Sequence, residues 1–76
     1  MKELVEFIAK SLVDEPSEVS VTERDEGRTI ILELHVASSD MGKVIGKKGR
    51  IAKAIRSVVK AAASKTDKNV VVDIAD

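Results

Sequence analysis

Residues 41–56 read MGKVIGKKGRIAKAIR, and this stretch decides the fold more than any other part of the chain. Its apolar residues recur at helical spacing, which predicts an amphipathic helix. Gly46 and Gly49 interrupt that helix, and two lysines stand between them. A glycine inside a helix costs up to ~1 kcal/mol relative to alanine. Two glycines so close together therefore predict a turn between two short helices, the first ending near Ile45 and the second opening at Arg50.

Three familiar glycine motifs do not fit this turn. A mononucleotide P-loop needs four residues between its glycines and then Lys-Ser/Thr, whereas Gly42 and Gly46 are separated by only three residues and Lys48 replaces the hydroxyl residue. A dinucleotide fingerprint needs a glycine at Val44 and a preceding strand. The charged flanks exclude a helix-dimer motif of membrane proteins. What remains is a turn where glycine lets another backbone approach, with Lys47 and Lys48 adding charge at its tip. A second helix opening there also presents free N–H groups and a positive dipole end.

Basic residues cluster around this turn, although the formal net charge of the chain is zero. Ten of the 13 acidic residues lie within residues 1–40. The segment from Lys43 to Lys65 contains no acid and eight bases: Lys43, Lys47, Lys48, Arg50, Lys53, Arg56, Lys60 and Lys65. Such a positive lobe favours a nucleic-acid partner, while a plain solvated helix face is the alternative.

The remaining elements follow from periodicity and turn residues. Helical spacing and a stop at Pro16 predict a helix over residues 2–14. Period-two patterns predict strands over 19–24, 30–36 and 70–74, the first two joined by a turn at 25–27. Ser38, Ser39 and Asp40 are expected to cap a helix that begins near Met41. The helix after the glycine turn is expected to run to about residue 64.

This order of elements predicts an α+β fold, a three-stranded mixed sheet with the helices packed on one face. Phe7, the single aromatic residue, is expected in the core. In the helix after the turn, we expect Ile55 and Val58 to be buried together with Ile51 and Ala62. Ile31 and Val71 are expected on the outer face of the sheet, as plain exposed residues or as a partner surface.

Residues 44–49, VIGKKG, resemble the signature of the KH domain, whose GXXG loop binds about four nucleotides of single-stranded RNA or DNA. The extra N-terminal helix and strand resemble the bacterial type II arrangement, α-β-β-α-α-β, so residues 1–76 are expected to form one type II KH domain. At this length the chain is most similar to the small single-KH proteins of bacteria, the KhpA family. Their GKxxGKxGRxAKAIR-like run is close to residues 42–56 here, GKVIGKKGRIAKAIR.

The resemblance also implies a binding site. Residues 46–49 would contact the nucleic-acid backbone. Val44, Ile45 and the first turn of the next helix would form the apolar side of a groove for bases, and the strand at 30–36 would form the other wall. Many KH domains carry a bulky aliphatic residue where this chain has Ala52, although the small KH proteins also tend to have alanine there. The residues expected to bind nucleic acid are Lys43, Val44, Ile45, Gly46, Lys47, Lys48, Gly49, Arg50, Lys53 and Arg56.

We therefore predict a non-enzymatic protein that binds single-stranded RNA without a cofactor or metal. His35 has no carboxylate or second histidine at ligand spacing, and the chain has no cysteine. A groove for about four nucleotides binds weakly alone, so a homodimer or a heterodimer with another KH-containing RNA-binding protein is expected.

The family resemblance implies a cytoplasmic post-transcriptional regulator or RNA chaperone, linked to cell division and cell shape. No signal peptide or membrane span is evident. Two alternatives remain. One is a protein-interaction subunit with only weak nucleic-acid binding. The other is a nucleotide-phosphate-binding enzyme fragment, against which the absent P-loop counts.

Overall fold

A computed structural model of the chain describes residues 1–75, except for the side chain of Lys47. Helix α1, a 3₁₀ turn, strands β1 and β2, helix α2 and strand β3 follow in this order: Lys2–Leu12, Pro16–Glu18, Ser20–Asp25, Thr29–His35, Ser38–Ala63 and Asn69–Ala75. Lys48 and Gly49 have positive φ and divide α2 into two arms, residues 38–47 and 50–63. With these arms as the two consecutive helices, the predicted α+β class and α-β-β-α-α-β order are confirmed, and they are those of a type II KH fold.

The three strands form one mixed sheet in the order β1-β2-β3. Strand β1 pairs antiparallel with β2, and β3 pairs parallel with β2, so that Leu32 lies opposite Val72. Leu32 and Leu34 are completely buried beneath the helices, whereas Ile31 on the other face is only half-buried and Val71 is 44% exposed. The helices therefore cover one face of the sheet, as predicted. The strand order makes β1 and β3 the two edge strands.

One continuous core joins the covered face of the sheet to both helices. Its buried members come from every helix and strand and from the loops beside them, but not from the 3₁₀ turn: Val5, Ala9, Val13, Val19, Val21, Leu32, Leu34, Val36, Val44, Ala52, Ile55, Val59 and Val72. Burial of aliphatic side chains contributes roughly 25 cal/mol per Å² of apolar surface, and without cysteines it is what holds the fold together.

Helix α1 ends at Leu12, two residues earlier than predicted. Val13 adopts an extended conformation with φ −101° and ψ 163°, and its side chain is buried in the core. The carboxylate of Asp40, only 1% exposed, accepts hydrogen bonds from the next two backbone N–H groups, those of Asp14 at 3.1 Å and Glu15 at 3.0 Å. The helix ends early because the buried carboxylate of Asp40 accepts hydrogen bonds from these two backbone N–H groups.

The same contact corrects the predicted start of α2. The helix begins at Ser38, not near Met41, and no side chain caps its first turn. Asp40 had been expected to cap this helix; its side chain instead ties the first turn of α2 to the end of α1.

Two apolar residues lie on the wrong side of their helices for the predicted core. Phe7 is 70% exposed, because it lies about 200° around α1 from the completely buried Val5. Val58 is 40% exposed, because the buried face of the second arm of α2 is centred on Ile55 and Val59. The predictions that Phe7 and Val58 are buried were therefore wrong.

Candidate nucleic-acid interface

The glycine turn, residues 46–49, changes the course of α2 at its last two positions. Lys48 has φ 64° and Gly49 has φ 67°. This left-handed conformation is ordinary for glycine, but it costs roughly 1–2 kcal/mol for a residue with a side chain. The first helical arm was expected to end near Ile45, and it continues to residue 47 because the conformational break lies at Lys48.

Gly46 differs from Gly49, because its φ is not positive. A Cβ atom built on Gly46 would meet no other atom within 4 Å, so no neighbouring group excludes a side chain. Alanine in a helix is more stable than glycine by up to ~1 kcal/mol. The fold therefore gains nothing from Gly46, and the missing side chain leaves its backbone open to approach from outside the chain.

A cleft of about 510 Å³ lies beside the glycine turn, between α2 and the edge strand β3. Ala52, 5% exposed, lies at its apolar base, and Ile45 is half exposed at its side. Lys53 and Arg56 lie on the helical wall. The complete lining is Ile45, Lys48, Gly49, Ala52, Lys53, Arg56, Asp73 and Ile74.

The opposite wall of the cleft is strand β3, which corrects the prediction that the strand at 30–36 would form it. That strand, β2, is the central one, and its Leu32 and Leu34 are completely buried in the core. Asp73 and Ile74 of β3 take its place. Asp73 adds a carboxylate to a basic cleft, where it can accept a hydrogen bond from a base amino group.

Half of the residues expected to bind nucleic acid line this cleft: Ile45, Lys48, Gly49, Lys53 and Arg56. Val44 does not, because it is completely buried and supports the turn from beneath. Lys43 points elsewhere, with its Nζ 3.0 Å from Asp14 Oδ1. Gly46 and the exposed Arg50 lie outside the cleft lining, and the side chain of Lys47 lies outside the described part of the structure.

A family model described as KhpA/KhpB, KH domain, matches residues 2–74 of this chain. The chain belongs to the KhpA/KhpB KH-domain family. The family resemblance seen in VIGKKG and in the element order is thereby confirmed.

Curated relatives are similar in sequence over nearly the whole chain. RNA-binding protein KhpA of Clostridium perfringens is 69% identical over 74 residues, which is 97% of this chain and 99% of the relative. The protein of the same name from Halalkalibacterium halodurans is 58% identical over 76 residues, all of both chains. That of Aquifex aeolicus is 46% identical over 74 residues, 97% of this chain and 94% of the relative. No solved structure matches the chain.

These relatives are named for binding and not for catalysis, as expected of a KH domain that is no enzyme. Within residues 1–75, no group of three histidine or acidic side chains could hold a metal ion. None of the helices described is long and apolar enough to cross a membrane.

The cations of the KH-domain cleft differ electrostatically from several others in the chain. Among the described residues, Lys48, Lys53 and Arg56 make no ion pair with a carboxylate. Cations elsewhere do pair, each with an acid at 2.8–3.5 Å: Lys10, Arg24, Lys43 and Lys68. A cation that makes no ion pair within the protein can bind a ligand phosphate without first breaking a salt bridge.

Proposed function

We propose that this chain, as a single KH domain over residues 1–76, binds single-stranded RNA. The sugar–phosphate backbone lies against the glycine turn, and bases enter the cleft between α2 and β3. The observation that carries this proposal is Gly46 within the glycine turn. Neither its φ nor any neighbouring atom requires a glycine there, and the turn borders a cleft whose cations make no ion pair among the described residues. Close approach of a ligand backbone explains a glycine that the fold itself does not need.

The residues around the glycine turn and in the cleft have two main roles. Lys47, Lys48, Arg50 and Lys53 bind phosphates around the turn, with Arg56 at the far end of the cleft and Lys43 contributing less because it is paired with Asp14. Bases pack on the aliphatic side chains of Ile45, Ala52 and Ile74, since no aromatic residue lines the cleft. Val44 holds the turn in place from the core.

Single-stranded RNA fits this arrangement better than a duplex. The open volume of about 510 Å³ is a hollow for a few exposed bases, and sequence-specific RNA recognition relies on unstacked bases. The names of the relatives favour RNA over DNA. Most of the affinity comes from phosphate contacts, so binding is strongly salt-dependent.

A second KH-containing chain completes the working unit in this proposal. One KH domain contacts only about four nucleotides, and linking two such sites raises the effective affinity. Ala54, Val58 and Ala61 follow one another at i, i+4 and i+7, and all three are exposed on a different face of α2 from the cleft residues. This face suits a homodimer or a heterodimer with another KH-containing RNA-binding protein.

The role that we propose for this unit is post-transcriptional regulation or RNA chaperoning in the cytoplasm, in support of cell division and cell shape. Its support is the membership of the KH-domain family and the names of the relatives, which state RNA binding. A weak site that binds many single-stranded segments transiently is suited to such work.

The test is a double charge reversal, Lys47→Asp with Lys48→Asp. Affinity for a single-stranded RNA oligonucleotide should fall by about 100-fold, and the slope of log K against log salt should become shallower by about 0.7 for each phosphate that the variant no longer binds. Circular dichroism should show an unchanged fold. The matched control reverses Lys2 and Lys65, two exposed lysines outside the cleft, and changes the net charge equally.

Unchanged RNA affinity in the Lys47/Lys48 variant would overturn this assignment of the site. If that variant also failed to bind a protein partner, the alternative of a protein-interaction subunit with only weak nucleic-acid binding would be favoured. Equal reductions in the variant and its Lys2/Lys65 control would show that net charge, rather than the glycine turn, determines binding.

A further inference from the structure

A second hollow, of about 900 Å³, continues the cleft along the seam between α2 and β3. Arg56 and Asp73 line both hollows, so the two are adjacent along this seam, and we call them together the trough. The trough runs from the glycine turn toward the loop of residues 64–68, which connects α2 to β3. We call the part beyond Arg56 the distal trough.

The distal trough has an apolar floor and a basic rim on its helical side, while Asp67 and Asp73 also line it. Val59 and Val72 are 1% and 5% exposed at its floor, and Ala63 is half-buried beside them. Lys60 lies on the helical rim, exposed and one turn beyond Arg56. Neither Arg56 nor Lys60 makes an ion pair with a carboxylate among the described residues.

The far end of the distal trough is held by hydrogen bonds. Thr66 Oγ1 donates to the Ala63 carbonyl at 3.0 Å and accepts from the backbone N–H of Lys68 at 3.3 Å. The N–H of Asn69 donates to the Arg28 carbonyl at 2.8 Å. The loop is therefore fixed against the hairpin, and the trough is part of the fold.

The outer edge of β3 runs along the same trough. In the described sheet β3 pairs only with β2, so its outer backbone N–H and C=O groups have no strand partner. Such groups can hydrogen-bond to the edges of unpaired bases as well as to another strand.

We propose that the distal trough binds further nucleotides of the same RNA strand, beyond those held at the glycine turn. Arg56 and Lys60 contact the additional phosphates, and the additional bases lie over the valine floor beside the edge of β3. The basic helical side, where Arg56 and Lys60 make no ion pair among the described residues, and the position beside the cleft favour nucleic acid over a peptide strand as the occupant. This inference rests on the proposed RNA-binding function of the cleft.

The experiment compares an RNA core of about four nucleotides with the same core extended at either end by about four abasic units. Abasic units add phosphates but no bases, so they do not give the RNA additional positions in which to bind. Extension at one end should raise wild-type affinity about fivefold, with a salt slope steeper by about 0.7 for each additional phosphate bound. Lys60→Ala should remove this gain and leave the affinity for the short core unchanged. Replacing the abasic units with bases should raise affinity further in the wild type.

Lys65→Ala is the matched control, because it removes an exposed lysine near the same end of α2 that does not line the trough. It should leave both affinities and the gain on extension unchanged.

The two proposals fail in different ways. If extension at neither end raises affinity, or if the gain survives Lys60→Ala, the distal trough is overturned while binding of the short core still stands. The free edge of β3 would then be left for a protein strand, the other occupant that such an edge pairs with. If no oligonucleotide binds, the RNA-binding function itself is wrong. If binding ignores the charge reversal at Lys47 and Lys48, the glycine turn is not the RNA site.

Discussion

The hairpin turn between β1 and β2 and the glycine turn inside α2 both contain a glycine with positive φ. They differ in the side-chain contacts that hold them. At the hairpin, Gly27 has φ 81° and its N–H donates to Asp25 Oδ1 at 3.0 Å. The N–H of Glu26 donates to the Thr29 carbonyl at 2.8 Å, and Lys68 Nζ lies 2.8 Å from Asp25 Oδ2. The chain closes this turn with its own groups.

The glycine turn differs from the hairpin in its side-chain hydrogen bonds. In the part of the chain that the structure describes, no side-chain hydrogen bond reaches residues 46–49. A lysine, at position 48, adopts the left-handed conformation there, although this costs roughly 1–2 kcal/mol. Gly46 adds a further cost of up to ~1 kcal/mol in helical stability.

The contrast shows how a turn that serves the fold can be distinguished from one that serves a ligand. The hairpin residues are explained by contacts within the chain. The glycine turn has residues that destabilise the chain, and the proposed RNA ligand accounts for them. Substitutions at the glycines of the two turns test this distinction directly.

The largest effects are expected from Gly27→Ala and Gly49→Ala. Each places a side chain at positive φ, so each should lower the free energy of unfolding by about 1–2 kcal/mol. Only Gly49→Ala should also weaken RNA binding, by about tenfold or more, which corresponds to roughly 1.4 kcal/mol. Urea denaturation and fluorescence anisotropy measure the two quantities. Equal RNA affinity in both variants would contradict the distinction between the turns.

A smaller and opposite effect on stability is expected from Gly46→Ala. The new methyl group meets no neighbour in a helical segment, so the free energy of unfolding should rise by up to about 1 kcal/mol. RNA affinity should nevertheless fall about tenfold, because the methyl group would hold the ligand backbone away. Gly42→Ala is the control, since Gly42 is also helical and free of neighbours but lies four residues before Gly46, outside the glycine turn.

A stability gain in both variants, with weaker RNA binding in Gly46→Ala alone, is the result that the ligand-based explanation requires. If Gly46→Ala bound RNA as well as the wild type, the absence of its side chain would have no functional explanation.

Much of the fold could be predicted because its signals are local. The alternation of Leu32 and Leu34 with Ile31 predicted which face of β2 is buried, and the glycine pair predicted an interruption in the helix. Phe7 was misplaced because hydrophobicity does not determine which side of a helix faces the core. Small residues with the right phase, Val5 and Ala9, occupy that side.

The errors at the site come from contacts between residues far apart in the sequence. Asp40 resembles a helix cap locally, but its partners are 25 and 26 residues away. The period-two pattern of residues 70–74 predicted a strand without showing that it would become the edge beside the glycine turn. The cleft wall was therefore assigned to β2, whereas Asp73 and Ile74 of β3 form it.

The smallest effect is expected from pH at the hairpin turn. The pKa of Asp25 is lowered, first because Lys68 donates a hydrogen bond to its carboxylate, and then because the N–H of Gly27 does so. A carboxyl group with a lowered pKa in the folded state stabilises that state above its ordinary pKa. This stabilisation is lost as pH falls through the lowered value. Because both partners are solvent-exposed, the contribution to stability should be small.

Carboxyl-carbon NMR titration measures this pKa directly. Lys68→Met should raise the pKa of Asp25 only part of the way to its ordinary value, because the hydrogen bond from Gly27 remains. Asp25→Asn should remove the corresponding acid-dependent loss of stability. Neither variant should change the affinity for the short RNA core, since neither residue lines the cleft beside the glycine turn. An Asp25 pKa that did not respond to Lys68→Met would mean that this pair does not hold the loop of residues 64–68 to the hairpin. The view that contacts within the chain stabilise the hairpin turn would then be weakened.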